Sequence, residues 1–203
     1  MTPAPLRLRP ATPDEAEAYA TVARETFVES YAATTPPDEM AAHLARAFGP
    51  TQQRRELEDP ARRVLALVDA DGVWQGFVAV APNPAPTCVT GTAPLQVERI
   101  YVRAARHGAG HGRRLLHAAE AEARRRGSDV LWLQVWEGNA AAQAFYARLG
   151  WTRAGTHPFL MGTRYEDDWV MVRRLPTAQQ ATPTSTPPTA PGPPNQPTMG
   201  SSA

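Results

Sequence analysis

Two different periodicities of apolar residues run along the first 175 residues of the chain, and together they predict an α/β domain. Alternation and short apolar runs predict strands, whereas apolar residues three and four positions apart predict helices. On this basis we predict strands at 6–8, 63–69, 73–81, 95–102, 129–136 and 169–175, and helices at 12–27, 38–48, 113–126 and 139–150. The order β-α-α-β-β-β-α-β-α-β predicts a central sheet that is partly antiparallel and partly parallel, flanked by helices.

Short polar motifs predict where several of these elements begin and end. The segment 12–15, TPDE, has the composition of a capping box with proline at the first helical position. Asn139 is a favoured N-cap residue, and Gly150 is a favoured residue at a helix C-terminus. Ala70-Asp71-Gly72 lies between two predicted strands and predicts a hairpin turn.

The C-terminal segment differs in composition from the rest of the chain. Residues 177–203 contain no charged and no aromatic residue and are rich in Pro, Thr and Ala. Such a segment has almost nothing to bury, so it cannot offset the entropy lost on folding. We therefore predict one folded domain at residues 1–175 and a disordered tail at residues 176–203.

Composition and charge narrow the classes of partner. The formal net charge is +1, which favours neither nucleic acid nor a membrane surface. No stretch approaches the roughly 20 apolar residues of a membrane span, and the first residues lack the apolar run of a signal peptide. Cys88 is the one cysteine, so no intrachain disulfide can form. We expect a cytoplasmic protein without nucleic-acid or membrane partners, either a monomer or a homodimer.

The segment 106–112, RHGAGHG, places three glycines between a predicted strand and a predicted helix. A helix N-terminus has unpaired N–H groups and partial positive charge, so it attracts phosphate, and glycines leave room for the approach. An arginine pair follows the last glycine where a P-loop requires Lys-Ser/Thr, and the G-x-G-x-G spacing differs from the dinucleotide fingerprint. The loop predicts a pyrophosphate cradle; the alternative is a glycine-rich turn that binds no ligand.

Two stretches of the sequence resemble the GNAT N-acetyltransferase superfamily. The segment 97–116, VERIYVRAARHGAGHGRRLL, is similar to its acetyl-CoA-binding motif, Gln/Arg-x-x-Gly-x-Gly/Ala. Gly110 and Gly112 fill the glycine positions, and His107 stands where the family has Gln or Arg. Asn139 after a strand, followed by AFYARLGW at 144–151, resembles the second half of the family's site. The segments ERIYV, WLQVWEGN, AFYARLGW, GTHPFLMG and DDWVMVRRL are also similar to those of PaiA-type bacterial polyamine N-acetyltransferases.

The resemblance covers about residues 6–175 and implies the GNAT fold, a mixed, mostly antiparallel sheet of about six to seven strands flanked by helices. It implies an N-acetyltransferase with acetyl-CoA as co-substrate and without a metal. It also implies the residues that bind acetyl-CoA. These are His107, Gly108, Ala109, Gly110, His111, Gly112 and Arg113 through backbone amides, Ile100, Tyr101 and Val102 through free strand groups, and Asn139 and Tyr146.

Two residues are candidates for the proton transfers. The resemblance implies that Tyr146 is the general acid that protonates the departing thiolate; the alternative is a core aromatic beside Phe145. Because adjacent helical residues point about 100° apart, Phe145 is expected in the core and Tyr146 in the cleft. Glu98 on the predicted central strand is a candidate general base, directly or through water. Its alternative is an ion pair with an arginine such as Arg99 or Arg103.

The acceptor amine is expected to be small and cationic, such as a polyamine. The resemblance implies that the N-terminal helices form one wall of the acceptor site. We expect substrate-binding carboxylates there, from Glu25 and Glu29 with Asp38 and Glu39, although a solvated helix face is the common alternative. A protein or peptide amine is the main competing acceptor.

Two other functions are compatible with the same sequence features. A catalytically idle acetyl-CoA sensor would share the fold, and a nucleotide-binding regulator would share the glycine loop. Three histidines near that loop, His107, His111 and His117, do not predict a metal site, because no carboxylate or cysteine completes a ligand set.

Overall fold

The computed structural model describes residues 5–176, so the predicted tail from residue 177 onward lies outside the described residues. Within that range the chain forms seven strands and five α-helices. The strands are β1 Arg7–Pro10, β2 Arg63–Val68, β3 Trp74–Ala81, β4 Pro94–Val102, β5 Val130–Trp136, β6 Thr152–Met161 and β7 Arg164–Arg174. The helices are α1 Ala16–Tyr31, α2 Pro37–Ala47, α3 Pro50–Glu58, α4 His111–Arg125 and α5 Ala140–Arg148, with 3-10 turns at Pro13–Glu15 and Ala104–Arg106.

All seven strands belong to one sheet in the order β1-β2-β3-β4-β5-β7-β6. Every neighbouring pair is antiparallel except β4 and β5, which are parallel. The parallel pair needs a long crossover, which α4 supplies across one face of the sheet. The prediction of a mixed, mostly antiparallel sheet flanked by helices is confirmed.

The two parallel strands separate soon after they meet. The pairing of β4 with β5 covers Pro94–Gln96 opposite Val130–Trp132 and then stops. Beyond that point β4 continues along β3 as far as Val102, and β5 continues along β7 as far as Trp136. The sheet therefore opens a wedge-shaped gap in its middle, between 97–102 of β4 and the second half of β5.

The sheet carries a core on each face. On one face α4 and α5 cover a cluster that includes Leu115, Leu131 and Leu133. On the other face α1 and α2 cover a cluster that includes Tyr19 and Phe77. All eight residues of β3 are buried, because consecutive side chains of this central strand enter opposite clusters. Strand β3 is thus enclosed on both faces, and its neighbour β4 borders the gap.

Local signals placed most of the element boundaries. The predicted capping box forms, with the Glu15 carboxylate 3.0 Å from the backbone nitrogen of Thr12, and it leads through a 3-10 turn into α1. The Asn139 N-cap also forms, with its side-chain oxygen 3.0 Å from the nitrogen of Ala142. Gly150 has a φ of 79°, as its position after α5 requires.

Two elements have no counterpart among the predictions from sequence. Helix α3 buries Gln53 and Glu56, two polar residues, so it shows no apolar periodicity. Strand β6 lies at the edge of the sheet with most of its side chains exposed or half-buried, so it lacks the apolar alternation of a core strand. Its partner β7 begins at Arg164, five residues before the predicted start at 169. No helix in residues 5–176 combines the length and the apolar character needed to cross a membrane.

Candidate active site

Two adjoining cavities lie at the gap in the sheet. The first, here called the gap cavity, has a volume of about 720 Å³ and lies between β4, β5, the glycine loop and α5. The second, here called the hairpin cavity, has a volume of about 340 Å³ and lies between the N-terminal helices and the β6–β7 hairpin. Residues that line both cavities are Tyr31, Glu98, Arg99, Tyr101 and Gln134. A molecule bound in the gap cavity and another bound in the hairpin cavity would therefore contact each other beside these shared residues.

The glycine loop presents a row of free backbone amides to the gap cavity. Within the described chain, the N–H groups of residues 108–113 donate no hydrogen bond, and the first that does is that of Arg114, to the Gly110 oxygen at 3.1 Å. Gly108 and Gly110 both have φ of 79°, and a side chain at either position would project into open space. Free amides at the N-terminus of a 15-residue helix form an anion site that suits a pyrophosphate.

Side chains of the loop fix its position and its charge. The Nε2 atom of His107 lies 2.7 Å from the carbonyl oxygen of Val102, and because a carbonyl only accepts, this nitrogen donates. His107 therefore ties the loop to the end of β4. Arg106 and Arg113 line the gap cavity, whereas Ala109 does not. Among residues 5–176, no cluster of three or more His, Cys, Asp or Glu side chains is arranged to hold a metal ion.

The wall formed by β4 includes all three of the strand residues expected there. Ile100, Tyr101 and Val102 line the gap cavity beyond the point where β4 and β5 separate. On that side, the backbone of 97–102 has no pairing with β5. Apart from the Val102 carbonyl oxygen, which accepts from His107 Nε2, these groups are available to an extended chain such as a pantetheine arm, in the manner of an added strand.

Helix α5 brings Asn139 and Tyr146 to the opposite wall. Burial raises the pKa of the Tyr146 phenol, with a smaller contribution from Tyr31, so Tyr146 keeps its proton at neutral pH. The sequence predicted Phe145 in the core and Tyr146 in the cleft, and the structure does not show this arrangement. Tyr146 is the more buried, at 8% exposed, while Phe145 is half-buried and packs against Gly112, and both line the cavity.

Glu98 lines both cavities, and both of its carboxylate oxygens are occupied. One oxygen pairs with Arg62, and the other accepts a hydrogen bond from Asn83 Nδ2 at 2.7 Å. The ion-pair alternative for Glu98 is therefore the arrangement present, with a different arginine from those expected. Arg99 instead pairs with Glu56 at 2.6 Å, and Arg103 pairs with Glu25.

The carboxylates expected at the acceptor wall lie elsewhere. Glu25 pairs with Arg103, and Glu29 accepts a hydrogen bond from the backbone nitrogen of Ala104 at 2.9 Å, so both support the loop after β4. Glu39 is hydrogen-bonded to Thr163, and Asp38 is exposed. None of the four lines either cavity; the residues of α1 and α2 that do so are Phe27, Ser30, Tyr31, His43 and Ala47.

Different acidic residues line the hairpin cavity. Glu166 and Asp168, at the start of β7, face it on alternate positions of the strand. Burial, with the negative charges of Glu166 and Asp167, raises the pKa of Asp168 to about 7. The acidic run EDD at 166–168 was the one sequence signal for them, and it lies just before the predicted strand at 169–175.

Two further residues complete this cavity. Burial, with the charge of Arg46, lowers the pKa of His43 to about 4, so the ring is neutral at pH 7. The Gln134 Nε2 atom is buried and has no hydrogen-bond partner among residues 5–176, and Gln134 lines both cavities. It is therefore a donor that a bound molecule can satisfy.

The sequence and the fold match known acetyltransferases. The acetyltransferase (GNAT) family matches residues 23–151. An uncharacterised N-acetyltransferase of Lactobacillus delbrueckii subsp. lactis is 29% identical over 77% of this chain and 90% of its own length. Streptothricin acetyltransferase of Streptomyces lavendulae is 34% identical over 60% of this chain and 61% of its own length.

A solved structure shares the fold across the whole domain. The crystal structure of a PaiA N-acetyltransferase from Thermoplasma acidophilum in complex with coenzyme A superposes with a TM-score of 0.68 at 18% sequence identity. The match covers 84% of this chain and 99% of that chain. The chain therefore belongs to the acetyltransferase (GNAT) family, and it is an acetyl-CoA-dependent N-acetyltransferase.

Proposed function

We propose that the enzyme acetylates a primary amine of a small cationic acceptor, with polyamines the first candidates, and that this acceptor binds in the hairpin cavity. The observation that supports the proposal is the charge of that cavity. Of its four carboxylates, Glu56 is paired with Arg99 and Glu98 with Arg62. Among residues 5–176, Glu166 and Asp168 have no cationic partner.

The surplus of negative charge favours a cation. With His43 neutral, the two unpaired carboxyl groups leave the hairpin cavity acidic, in a setting where burial weakens solvent screening. Aromatic rings of Phe27, Phe159 and Trp136 supply the remaining wall and can contact the methylene segments and ammonium groups of a polyamine. An anionic acceptor would meet repulsion from Glu166.

The proposed roles of the gap cavity follow from its geometry. The amides of residues 108–113 hold the pyrophosphate of acetyl-CoA, and the free edge of 100–102 holds its pantetheine arm. Tyr146 gives its proton to the thiolate that departs when the amide forms. Asn139 lines the gap cavity and uses its side-chain oxygen as the N-cap of α5, so its proposed part in co-substrate binding is to fix the start of that helix.

Relatives broaden the range of acceptors to be tested. The sequence resemblance favours PaiA-type polyamine acetyltransferases, and the Thermoplasma structure supports the shared fold. The Streptomyces relative is named for streptothricin, so an antibiotic amine belongs in the same panel. A peptide with a free N-terminus represents the competing class of protein and peptide amines.

A panel of acceptors scored by release of free CoA tests the proposal. We expect turnover with spermidine, spermine or a short diamine, and an apparent KM that rises with salt because attraction by the cavity is screened. Turnover with the peptide amine and none with any polyamine would overturn the polyamine assignment. Acetyl-CoA binding without CoA release from any acceptor would favour a sensor.

A pair of variants tests the site of acceptor binding. Glu166→Gln removes an unpaired charge from the hairpin cavity and is expected to raise the KM for spermidine more than that for a monoamine. Asp38→Asn is the matched control, since Asp38 is exposed and lies outside both cavities, and it should leave both KM values unchanged. Equal effects of the two variants would contradict binding in this cavity.

A further inference from the structure

Resting on the proposed function, we propose that Asp168, and not Glu98, is the catalytic base that removes the proton from the acceptor's ammonium group. The two carboxyl groups line the same hairpin cavity but differ in their surroundings.

Glu98 is held by other side chains and has little freedom to accept a proton. Its two oxygens contact Arg62 and Asn83, from separate segments of the chain. The neighbouring Arg99–Glu56 pair is just as enclosed, with a distance of 2.6 Å. A proton transferred to Glu98 would leave Arg62 without its countercharge in a partly buried site, which is costly.

Asp168 is the opposite case. It is only 6% exposed, yet within residues 5–176 its carboxyl group has neither a hydrogen-bond nor an ion-pair partner. It stands on β7 opposite Trp136, the last residue of β5, at the open end of the gap. A buried carboxyl group without partners that lines a cavity is free to exchange a proton with a molecule bound there.

The groups around Asp168 leave the carboxyl poised near neutral pH. Titratable and charged groups line the same cavity or adjoin Asp168 from each surrounding element. They are Tyr31 of α1, His43 of α2, Glu56 of α3, Glu98, Arg99 and Tyr101 of β4, His157 of β6, and Glu166 and Asp167 of β7. The arginine in this set is already paired with Glu56, and His43 is neutral at pH 7. The raised pKa of Asp168, about 7, is the range in which a general base is most effective.

The acceptor loses two protons during the reaction, and Asp168 takes the first. The ionised Asp168 carboxylate takes one proton from the R–NH₃⁺ group, which gives R–NH₂ and a neutral carboxylic acid. The nitrogen lone pair then forms the C–N bond to the acetyl carbon, the C–S bond breaks, and the second nitrogen proton is lost. One proton reaches the sulfur by way of Tyr146, and Asp168 releases the other to solvent.

The pH dependence of kcat/KM is the first test. The wild-type enzyme is expected to show a rising limb with a midpoint near pH 7, since kcat/KM reports ionisation of the free enzyme. Asp168→Asn should lower kcat by about 10²–10⁴-fold and remove that limb. Asp71→Asn is the control, because Asp71 is exposed in the β2–β3 turn and lies outside both cavities, and it should keep both rate and limb.

A matched pair of acceptors separates proton removal from a purely structural role. Ethylamine carries a proton at neutral pH, whereas 2,2,2-trifluoroethylamine is largely neutral there and needs no base before attack. The loss of rate in Asp168→Asn should be at least 10-fold smaller for the fluorinated amine. An equal loss for both amines, or an Asp168→Asn variant that keeps the limb near pH 7, would overturn the proposal.

Failure of the base assignment can be told apart from failure of the proposed function. If wild-type enzyme acetylates cationic amines and Asp168→Asn does so with an unchanged pH profile, only the base assignment fails, and Glu98→Gln becomes the variant to examine. If wild-type enzyme acetylates only the neutral amine, the cationic acceptor and the base both fail. Acetyl-CoA binding by Asp168→Asn, followed by calorimetry, verifies that the variant is folded.

Discussion

Glu39 of α2 accepts a hydrogen bond from the hydroxyl of Thr163, 2.7 Å away, in the turn that joins β6 to β7. The backbone nitrogen of Thr163 donates to the same carboxylate. About two turns further along α2, Arg46 donates to the carbonyl oxygens of Gly162 and Leu160 at 2.7 and 2.8 Å. Helix α2 therefore fastens the tip of the hairpin that encloses the hairpin cavity.

Loosening this attachment should affect the acceptor more than acetyl-CoA. Arg46→Ala removes two hydrogen bonds from a charged donor and is expected to lower the free energy of unfolding by about 1–2 kcal/mol. It should also raise the acceptor KM and leave acetyl-CoA affinity unchanged, because the glycine loop lies on the far side of the gap. Urea unfolding and steady-state kinetics measure both effects.

The control for this variant is Arg54→Ala. Arg54 forms an exposed ion pair with Glu58 at 3.9 Å, which should contribute little. An Arg46→Ala variant that matches Arg54→Ala in stability and in acceptor KM would show that the attachment does not shape the cavity.

Replacing Tyr146 should slow the chemical step. Tyr146→Phe removes the phenolic proton but keeps the ring that packs with Phe145 and Trp151. We expect turnover to fall by about 10²–10⁴-fold with little change in acetyl-CoA affinity. Tyr31→Phe serves for comparison, since Tyr31 lines the same cavity. Full activity in Tyr146→Phe would leave this residue with a packing role only.

A side chain in the glycine loop should prevent acetyl-CoA binding. Gly110→Asp adds a negative charge beside the free amides of residues 108–113, where the pyrophosphate is proposed to bind. Gly72→Asp is a close control, because Gly72 has a φ of 83° and equally open surroundings in the β2–β3 turn. Both variants bear the same backbone strain, so calorimetry that shows normal acetyl-CoA binding by Gly110→Asp would contradict the cradle.

Asp168 should make stability depend on pH in a direction opposite to that of a salt-bridged carboxylate. Its pKa is raised by folding, so its protonated form stabilises the native state below the unfolded pKa of about 3.9, and this contribution is lost as pH rises through about 7. Asp168→Asn carries no such charge. The difference in melting temperature, Asp168→Asn minus wild type, should therefore be several degrees more positive at pH 8 than at pH 4.

Asp71→Asn again provides the reference, because Asp71 is exposed in the β2–β3 turn. Calorimetric scans of the three proteins at pH 4 and pH 8 give the comparison. A difference between Asp168→Asn and wild type that is the same at both pH values would mean that folding does not raise the pKa of this carboxyl.

Local sequence signals were enough to predict the class of the fold and the position of the glycine loop. The capping box before α1, the N-cap at Asn139 and the spacing of glycines at 108–112 all depend on residues a few positions apart. Periodicity likewise records which face of a helix or strand is buried, so it predicted the elements of the core. It did not predict α3 and β6, which bury few apolar side chains.

The partners and surroundings of the carboxylates could be seen only in the folded structure. Glu98 pairs with Arg62, 36 positions away, and Glu29 accepts from a backbone group 75 positions away. Asp168 reaches the hairpin cavity because β7 pairs with β5, and its raised pKa follows from burial there. The charge state of a carboxyl group depends on the groups that folding brings around it, and these come from distant segments that no local pattern records.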